Sequence, residues 1–186
     1  MLKLEVVVSD FFRLVLQQNI DIYNEFSLQH ELGFFLRRVL PTYKVQFERN
    51  VSYFTSNTNT IKKEIDISIF SDDKSEKYAL ELKCPFNGQY PEQLYSFVKD
   101  IRFMEQMKER GFTNTYCIAL VSDRPFYQGK INEGIYRYFR KELCVYGDIY
   151  KPTGPMKNIE CVTLSGKYSF QWHKLDEIRR YFIIKI

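Results

Sequence analysis

Two carboxylates and a lysine stand close together in this chain of 186 residues. Asp66 lies in one short apolar run, and Glu81, Leu82 and Lys83 lie in the next. Carboxylate oxygens are hard ligands that suit Mg²⁺, which takes one or two carboxylates together with water and phosphate oxygens. An ion held there would polarise a phosphodiester and lower the pKa of a bound water. Lys83 could orient that water or stabilise developing negative charge, so these residue types favour a divalent-metal phosphodiesterase.

The two apolar runs, residues 65–70 and 78–84, have the length and composition of neighbouring β-strands joined by a short polar turn. Side chains alternate between the two faces of a strand, so Glu81 and Lys83 share one face. Asp66 faces away from its isoleucine neighbours for the same reason. If the strands pair across the turn, the two carboxylates converge.

The alternative is that this polar face is the solvent-exposed side of a hairpin. A Glu-x-Lys tripeptide is common in a chain with 27% charged residues, so the tripeptide alone decides nothing. Helical patterns before and after these strands favour the first interpretation. The helices should cover the sheet, so a polar face beneath them must line a cleft or be costly to bury.

The elements around these strands follow the order α-β-β-β-α-β. They are a helix at 28–40, a strand at 43–54, the two strands described above, a helix from 91 to about 110 and a strand at 116–121. Ser27 is the expected N-cap of the first helix, Asn87 and Gly88 close the third strand, and Gly111 ends the second helix. That second helix is long enough for a crossover connection. The sequence therefore predicts an α/β fold with a mixed central sheet flanked by helices.

The chain length predicts a single domain spanning 1–186. Its core is expected at about 25–122, with a small α+β C-terminal extension at about 130–186. The extension is predicted to contain a helix at 132–140, short strands at 143–147, 159–164 and 167–172, and an apolar tail at 181–186. A shorter helical pattern covers 10–18.

A third carboxylate, Glu31, falls at the edge of the apolar stripe of the first core helix, near Leu28 and Phe35. From there it can point toward the rim of the sheet and complete a metal site. The alternative is an ordinary boundary glutamate that faces Arg37 or Arg38. Both interpretations stay open at this point.

The motif and the element order together resemble the PD-(D/E)xK nuclease superfamily, which has a restriction-endonuclease-like fold. The resemblance covers residues 25–122, about half of the chain, and departs from the motif where Ile65 stands in place of proline. It implies an endonuclease that hydrolyses phosphodiester bonds in DNA. It also implies Mg²⁺ as the cofactor, with Mn²⁺ as a substitute.

The resemblance assigns roles to particular residues. It implies that Asp66 and Glu81 are metal ligands and that Lys83 is the water-orienting base or stabiliser. It also implies that the backbone carbonyl of Leu82 ligates the metal and that Glu31 is the variable helical acid.

Several polar side chains are candidates for contact with the phosphate backbone of a nucleic acid. They are Gln93, Lys99, Arg124 and Lys130, together with Arg102, Lys62 and Lys63. The alternative for each is an ordinary solvated surface residue. Glu64 is interpreted as a charge at the sheet edge. Glu105 falls inside the apolar stripe of the long helix, so it is predicted to be buried and paired with a basic residue.

Composition narrows the class of protein. A net charge of +4 permits an anionic partner without requiring one. The apolar runs are shorter than the roughly 18–20 residues that span a bilayer, and no signal peptide is predicted. Four scattered cysteines without a CxxC pair favour a reduced, cytoplasmic protein over a disulfide framework or a zinc site.

Two other functions remain as alternatives. One is a catalytically inactive nucleic-acid-binding or assembly protein that keeps the fold, since the chain has no separate specificity domain. The other is a metal-dependent enzyme for a different phosphorylated substrate. DNA is the expected partner, and a homodimer would let one site per chain cut both strands of a duplex.

Overall fold

A computed structural model describes residues 2–86 and 88–186, so the predicted turn residue Asn87 lies outside the described residues. The helices are α1 (Leu4–Gln17), α2 (Glu25–Val39) and α3 (Tyr90–Glu109). The strands are β1 (Lys44–Asn50), β2 (Glu64–Phe70), β3 (Lys77–Lys83), β4 (Asn114–Val121), β5 (Cys144–Tyr150), β6 (Cys161–Ser169), β7 (His173–Lys174) and β8 (Arg180–Lys185). Short helical turns lie at Val51–Tyr53, Arg124–Phe126 and Arg137–Glu142, the last of them π-helical.

Six strands form the central sheet in the order β1-β2-β3-β4-β8-β7. β3 and β4 run parallel, and the other neighbouring pairs run antiparallel. Because α3 connects the two parallel strands, it has the position of a crossover helix. β5 and β6 form a separate two-stranded hairpin. The expected α/β fold, with a mixed central sheet flanked by helices, is confirmed.

Both faces of the sheet are covered. On one face, Leu80 and Leu82 pack in the same apolar cluster as the buried side chains of α1 and α2. On the other face, Ala79 and Cys117 pack with α3 and the β5–β6 hairpin. Consecutive residues of β3 therefore point to opposite helices, as strand alternation requires. Glu81 has the same parity as Ala79, so it points toward α3.

Helix α2 begins one turn earlier than predicted. Asn24, not Ser27, is the N-cap: its Oδ1 accepts from the Ser27 N–H at 2.7 Å, and the Ser27 Oγ accepts from the Asn24 N–H at 3.0 Å. This reciprocal pair is a capping box, in which the third helical residue completes the cap. The expectation was wrong because Ser27 suits either position. The correction places Glu25 in the first turn of α2.

Helix α3 agrees with its predicted limits. Pro91 lies in its first turn, where the missing N–H costs no hydrogen bond, and the helix ends at Glu109. Gly111 then takes a φ of +82°, a conformation that favours glycine and ends the helix as predicted. Within residues 2–86 and 88–186, no helix combines the length and apolarity needed to cross a bilayer.

The C-terminal third differs more from expectation. β6 is one strand where two short strands are predicted, because it pairs with β5 across a bulge at Tyr146 and Gly147. The π-helical turn Arg137–Glu142 takes the place of the helix predicted at 132–140. β8 pairs with β4 from Lys185 to Arg180, so this segment completes the central sheet.

Glu105 is buried on α3 and paired, as predicted. Its Oε2 lies 2.8 Å from an Arg102 guanidinium nitrogen, and its Oε1 accepts from the N–H groups of Ser165 and Gly166 at 2.8 and 2.9 Å. The Tyr168 hydroxyl donates to the same oxygen at 2.8 Å. This one carboxylate therefore attaches the β5–β6 hairpin to α3.

We expect Glu105→Ala to lower the free energy of unfolding by about 3 kcal/mol, because it leaves buried N–H donors and a partly buried guanidinium without their acceptor. Hydrogen exchange should speed up first in the β5–β6 hairpin. Glu109→Ala is the matched control: Glu109 also accepts from Arg102, at 3.1 Å, but is half exposed, so its loss should cost less than about 1 kcal/mol. Equal losses in urea unfolding of the two variants would contradict the anchoring role.

Candidate functional site

β2 and β3 separate at Asp66 and Glu81. Their backbone pairing ends at Ile67 and Leu80, although both strands continue beyond that point. Past the end of the ladder, the Asp66 N–H donates to Glu81 Oε1 at 3.3 Å, and the Leu82 N–H donates to Asp66 Oδ2 at 2.7 Å. Each carboxylate thus accepts from the backbone of the opposite strand. The expected convergence of the two acids occurs where the sheet divides.

The other edge of β2 is also irregular at this position. Asp66 and Glu48 of β1 do not pair, although the positions on either side do, and Glu48 has a φ of +47°, which side-chain-bearing residues rarely adopt. Gln29 of α2 occupies the gap: its Nε2 donates to the Asp66 carbonyl at 2.8 Å and to Glu48 Oε1 at 2.5 Å. Backbone strain of this kind is typical of functional sites.

Glu81 lies inside the protein, and Asp66 is half-buried. Glu81 is 1% exposed, so the interpretation of this face as the wet side of a hairpin is wrong. Burial, followed by the neighbouring charge of Asp66, raises the pKa of Glu81 well above its ordinary value. Burial also raises the pKa of Asp66 from 3.8 to about 6, against the opposing effects of the Leu82 N–H and of Lys62.

Lys62, a candidate phosphate contact by sequence, instead lies in the site. Its Nζ contacts Glu81 Oε2 and lies 2.5 Å from Oδ1 of Asp100, a buried residue of α3. Burial disfavours the ammonium, but the charges of Asp100 and Glu81 outweigh that effect and raise the pKa of Lys62. Lys62 therefore stays charged at neutral pH between two buried acids.

Lys83 lies on the other side of the cluster, next to Glu25 of α2. Its Nζ is 3.3 Å from Glu25 Oε1, 3.6 Å from Asp100 Oδ2 and 3.2 Å from the Leu82 carbonyl oxygen. Glu25 Oε2 also accepts from the Cys84 N–H at 3.3 Å. Burial acts to lower the pKa of Lys83, but the Asp100 charge reverses this and the net shift is upward. Lys83 is thus an ammonium held by two carboxylates.

Glu31 does not take the place expected of the helical acid. Its carboxylate lies 3.6 Å from the His30 ring, and it borders a groove between α1 and α2 of about 270 Å³. Glu31 follows Glu25 by six positions, so it projects about 240° further around α2. The structure therefore places Glu25, not Glu31, beside Lys83. Glu25 precedes the helix predicted at 28–40, so it is not among the helical acids expected from sequence.

The candidate nucleic-acid contacts are scattered on the surface. Arg124 and Lys130 are exposed in the segment after β4, and Lys99 is partly exposed on α3, 3.8 Å from Glu160. Gln93 is half-buried in the first turns of α3, seven positions before Asp100 and therefore on the same side of the helix.

Two further basic candidates are engaged within the fold. Arg102 pairs with Glu105 and Glu109. The Lys63 ammonium donates to the Thr58 carbonyl at 2.7 Å. Glu64 is exposed at the end of β2, in agreement with a sheet-edge charge.

The chemical type of the donors suits a hard divalent cation, because Asp66, Glu81 and Asp100 all offer carboxylate oxygens. Asp100 Oδ2 is buried without a hydrogen-bond partner, and its ion pair with Lys83 at 3.6 Å is longer than a hydrogen bond. In the described part of the chain, however, no group of three or more His, Cys, Asp or Glu side chains is placed to hold a metal ion. The Lys62 ammonium, instead of an ion, contacts both Glu81 and Asp100.

All four cysteines are free, and three of them are buried. Comparison with known proteins finds no family model, no curated protein and no solved structure that matches this chain. Functional inference therefore depends on the charge cluster itself. That cluster combines ionisable acids at a divided sheet with two fixed ammonium groups.

The raised pKa of Asp66 predicts how stability depends on pH in metal-free protein. Folding favours the protonated carboxyl, so this contribution is present below pH 3.8 and is lost as the pH rises to about 6. Asp66→Asn keeps an acceptor for the Leu82 N–H but removes the titration. Between pH 4 and 6, wild-type unfolding free energy should fall by about 2 kcal/mol relative to the variant. Parallel curves from urea unfolding in chelator would show that Asp66 titrates normally.

Proposed function

We propose that this protein is a divalent-metal-dependent nuclease of the PD-(D/E)xK type that hydrolyses phosphodiester bonds in DNA, with Mg²⁺ as its natural cofactor and Mn²⁺ as a substitute. The observation that carries the proposal is the pair of carboxylates, Asp66 and Glu81, at the division between β2 and β3. Lys83 lies within the same cluster of charges. The order α2-β1-β2-β3-α3-β4 supports it, since that superfamily shares this order of elements.

Asp66 and Glu81 would hold the ion, and the proposal keeps the Leu82 carbonyl, which accepts from the Lys83 ammonium at 3.2 Å, as a further ligand. When bound, a divalent ion supplies polarisation of the scissile phosphate and a water of lowered pKa. Lys83 is protonated, since its pKa is raised, so it acts as a donor to negative charge and not as the base. Glu25 keeps that ammonium in place and replaces Glu31 in the proposal.

Substrate would reach the site from the side of α2 and the segment before β2. Glu25 is 43% exposed there and Lys62 is 32% exposed, whereas Glu81 lies below them. Lys99, Arg124 and Lys130 are the accessible cations proposed to contact phosphates, and Gln93 is proposed to contact the substrate from α3. A homodimer is proposed for cleavage of both strands of a duplex.

We expect purified protein to cleave DNA with Mg²⁺ or Mn²⁺ and not in chelator. Asp66→Ala should abolish this cleavage because it removes a ligand. Lys83→Ala should slow it by about 10²–10³-fold, the usual effect of losing one fixed donor. The measurement is cleavage of labelled single- and double-stranded DNA and RNA, with Mn²⁺ binding measured in parallel.

Glu64→Ala is the matched control, because Glu64 lies two residues from Asp66 on the same strand but is exposed. It should cleave at the wild-type rate. The proposal fails if no substrate is cleaved and Asp66→Ala leaves Mn²⁺ binding unchanged. RNA cleavage without DNA cleavage would show that RNA is the substrate, and the proposed metal-dependent hydrolysis would stand.

A second function, a catalytically inactive nucleic-acid-binding or assembly protein, is favoured by one observation. The Lys62 ammonium already binds the buried acids Glu81 and Asp100. If that contact is permanent, the fold needs no metal. Oligonucleotide binding in chelator, with no cleavage when Mn²⁺ is added and with affinity unchanged in Asp66→Ala, would select this function.

A further inference from the structure

The position of Lys62 in the cluster is that of a bound cation. Its ammonium contacts Glu81 and lies 2.5 Å from Asp100 Oδ1, and both acids are buried. The second oxygen of Asp100 accepts no hydrogen bond and lies 3.6 Å from Lys83 Nζ. A buried carboxylate normally has its oxygens hydrogen-bonded. Asp100 Oδ2 therefore faces the cluster with an ion pair to Lys83 that is too long for a hydrogen bond.

We propose that Asp100 is a third carboxylate of the metal site and that Lys62 competes with the metal for it. In this scheme the Lys62 ammonium and a divalent ion bind the same oxygens of Glu81 and Asp100, one excluding the other. The proposal rests on the proposed function, because it requires that the site binds a metal. It adds to the proposed function a metal ligand from α3 and a lysine of the protein that competes with the metal.

The shared oxygens require mutual exclusion. The pocket that Glu81, Lys83 and Asp100 form with apolar side chains such as Phe97 and Phe182 offers no alternative place for the ion, because its volume is only about 10 Å³, close to the least space that accommodates a single water. Mg²⁺ usually keeps several of its waters when a protein binds it. The Lys62 ammonium already binds one oxygen of Glu81 and one of Asp100, so an ion that bound the same two oxygens would have to displace it.

Hydrogen bonds fix the backbone around Lys62. In the proposed exchange of ammonium for metal, the side chain of Lys62 is therefore the part that moves. The Ile61 N–H donates to Gln106 Oε1 at 3.0 Å, and the Val51 N–H donates to the Lys63 carbonyl at 2.8 Å. The Arg110 side chain holds the preceding residues through the Asn57 and Asn59 carbonyls, at 2.8 and 2.7 Å.

The Lys62 side chain is partly exposed and has a flexible four-carbon stem. It can turn to solvent while the backbone stays in place. Exchange of ammonium for metal therefore requires no opening of the loop.

The first test is metal affinity, a readout that does not depend on cleavage. We expect Lys62→Met to bind Mn²⁺ about tenfold more tightly than wild type in calorimetric titration, a factor that corresponds to about 1.4 kcal/mol. Without metal the variant should melt at a lower temperature, because Glu81 and Asp100 lose their counter-charge. Mn²⁺ should then raise its melting temperature more than that of wild type.

Lys63→Met is the matched control, because Lys63 is the next lysine in the chain but its ammonium bonds the Thr58 carbonyl at the surface. Its Mn²⁺ affinity should equal that of wild type. Adding Asp100→Asn to Lys62→Met should remove most of the gain in affinity, since it removes the proposed ligand. Retention of the gain would overturn the role of Asp100.

A second measurement needs no variant and covers the case in which Lys62→Met does not fold. Lysine acetylation of the wild-type protein, read by mass spectrometry, should increase at Lys62 when Mg²⁺ or Mn²⁺ saturates the site and should not change at Lys63. Mn²⁺ binding with unchanged Lys62 labelling would overturn competition and leave the nuclease proposal standing. No Mn²⁺ binding to wild type or to the folded variant would overturn both.

Discussion

The division of the sheet between β2 and β3 is the constraint on which the rest of the site depends. Where the ladder stops, the N–H groups of Asp66 and Leu82 need acceptors, and the carboxylates of Glu81 and Asp66 supply them. These bonds hold Glu81 in the interior under α3 and leave Asp66 half-buried beside it. Buried acids need counter-charges, and the ammonium groups of Lys62 and Lys83 meet that need. The end of the β2–β3 pairing, the burial of the acids and the position of the two lysines therefore depend on one another.

The parts of the site that can be predicted from sequence are those set by local periodicity. Asp66, Glu81 and Lys83 follow from alternation along two short strands, and the helices that bury them follow from their apolar stripes. Glu25 escapes prediction because Asn24 and Ser27 both suit a helix N-cap, and a start at Leu28 leaves Glu25 outside the predicted helix. The pairing of β8 with β4 joins segments far apart in sequence, which no local pattern records.

Asp100 and Lys62 are not predicted from the sequence as members of the charge cluster, and the reason differs between the two. Asp100 lies between the apolar residues Val98 and Ile101 on α3, and a charge in such a stripe is a usable signal, the same one that identifies Glu105 as buried. Lys62 carries no such signal. It lies in a polar, turn-rich segment, and its long side chain reaches acids on β3 and α3 that only tertiary structure brings together.

A metal site built from buried acids has an inherent conflict. Without the ion, the carboxylates repel one another inside the protein, and the fold loses stability or the acids take up protons. With a permanent counter-charge the fold is stable, but the ion has no place to bind. A lysine at the edge of the site resolves this conflict, because its ammonium can bind the acids from a stem that reaches solvent. Lys62 has both properties: it contacts Glu81 and Asp100 at one end and is 32% exposed along its side chain. In the proposed scheme the same contact would stabilise the metal-free fold and limit metal affinity, so the strength of that one ion pair would decide between the two proposed functions.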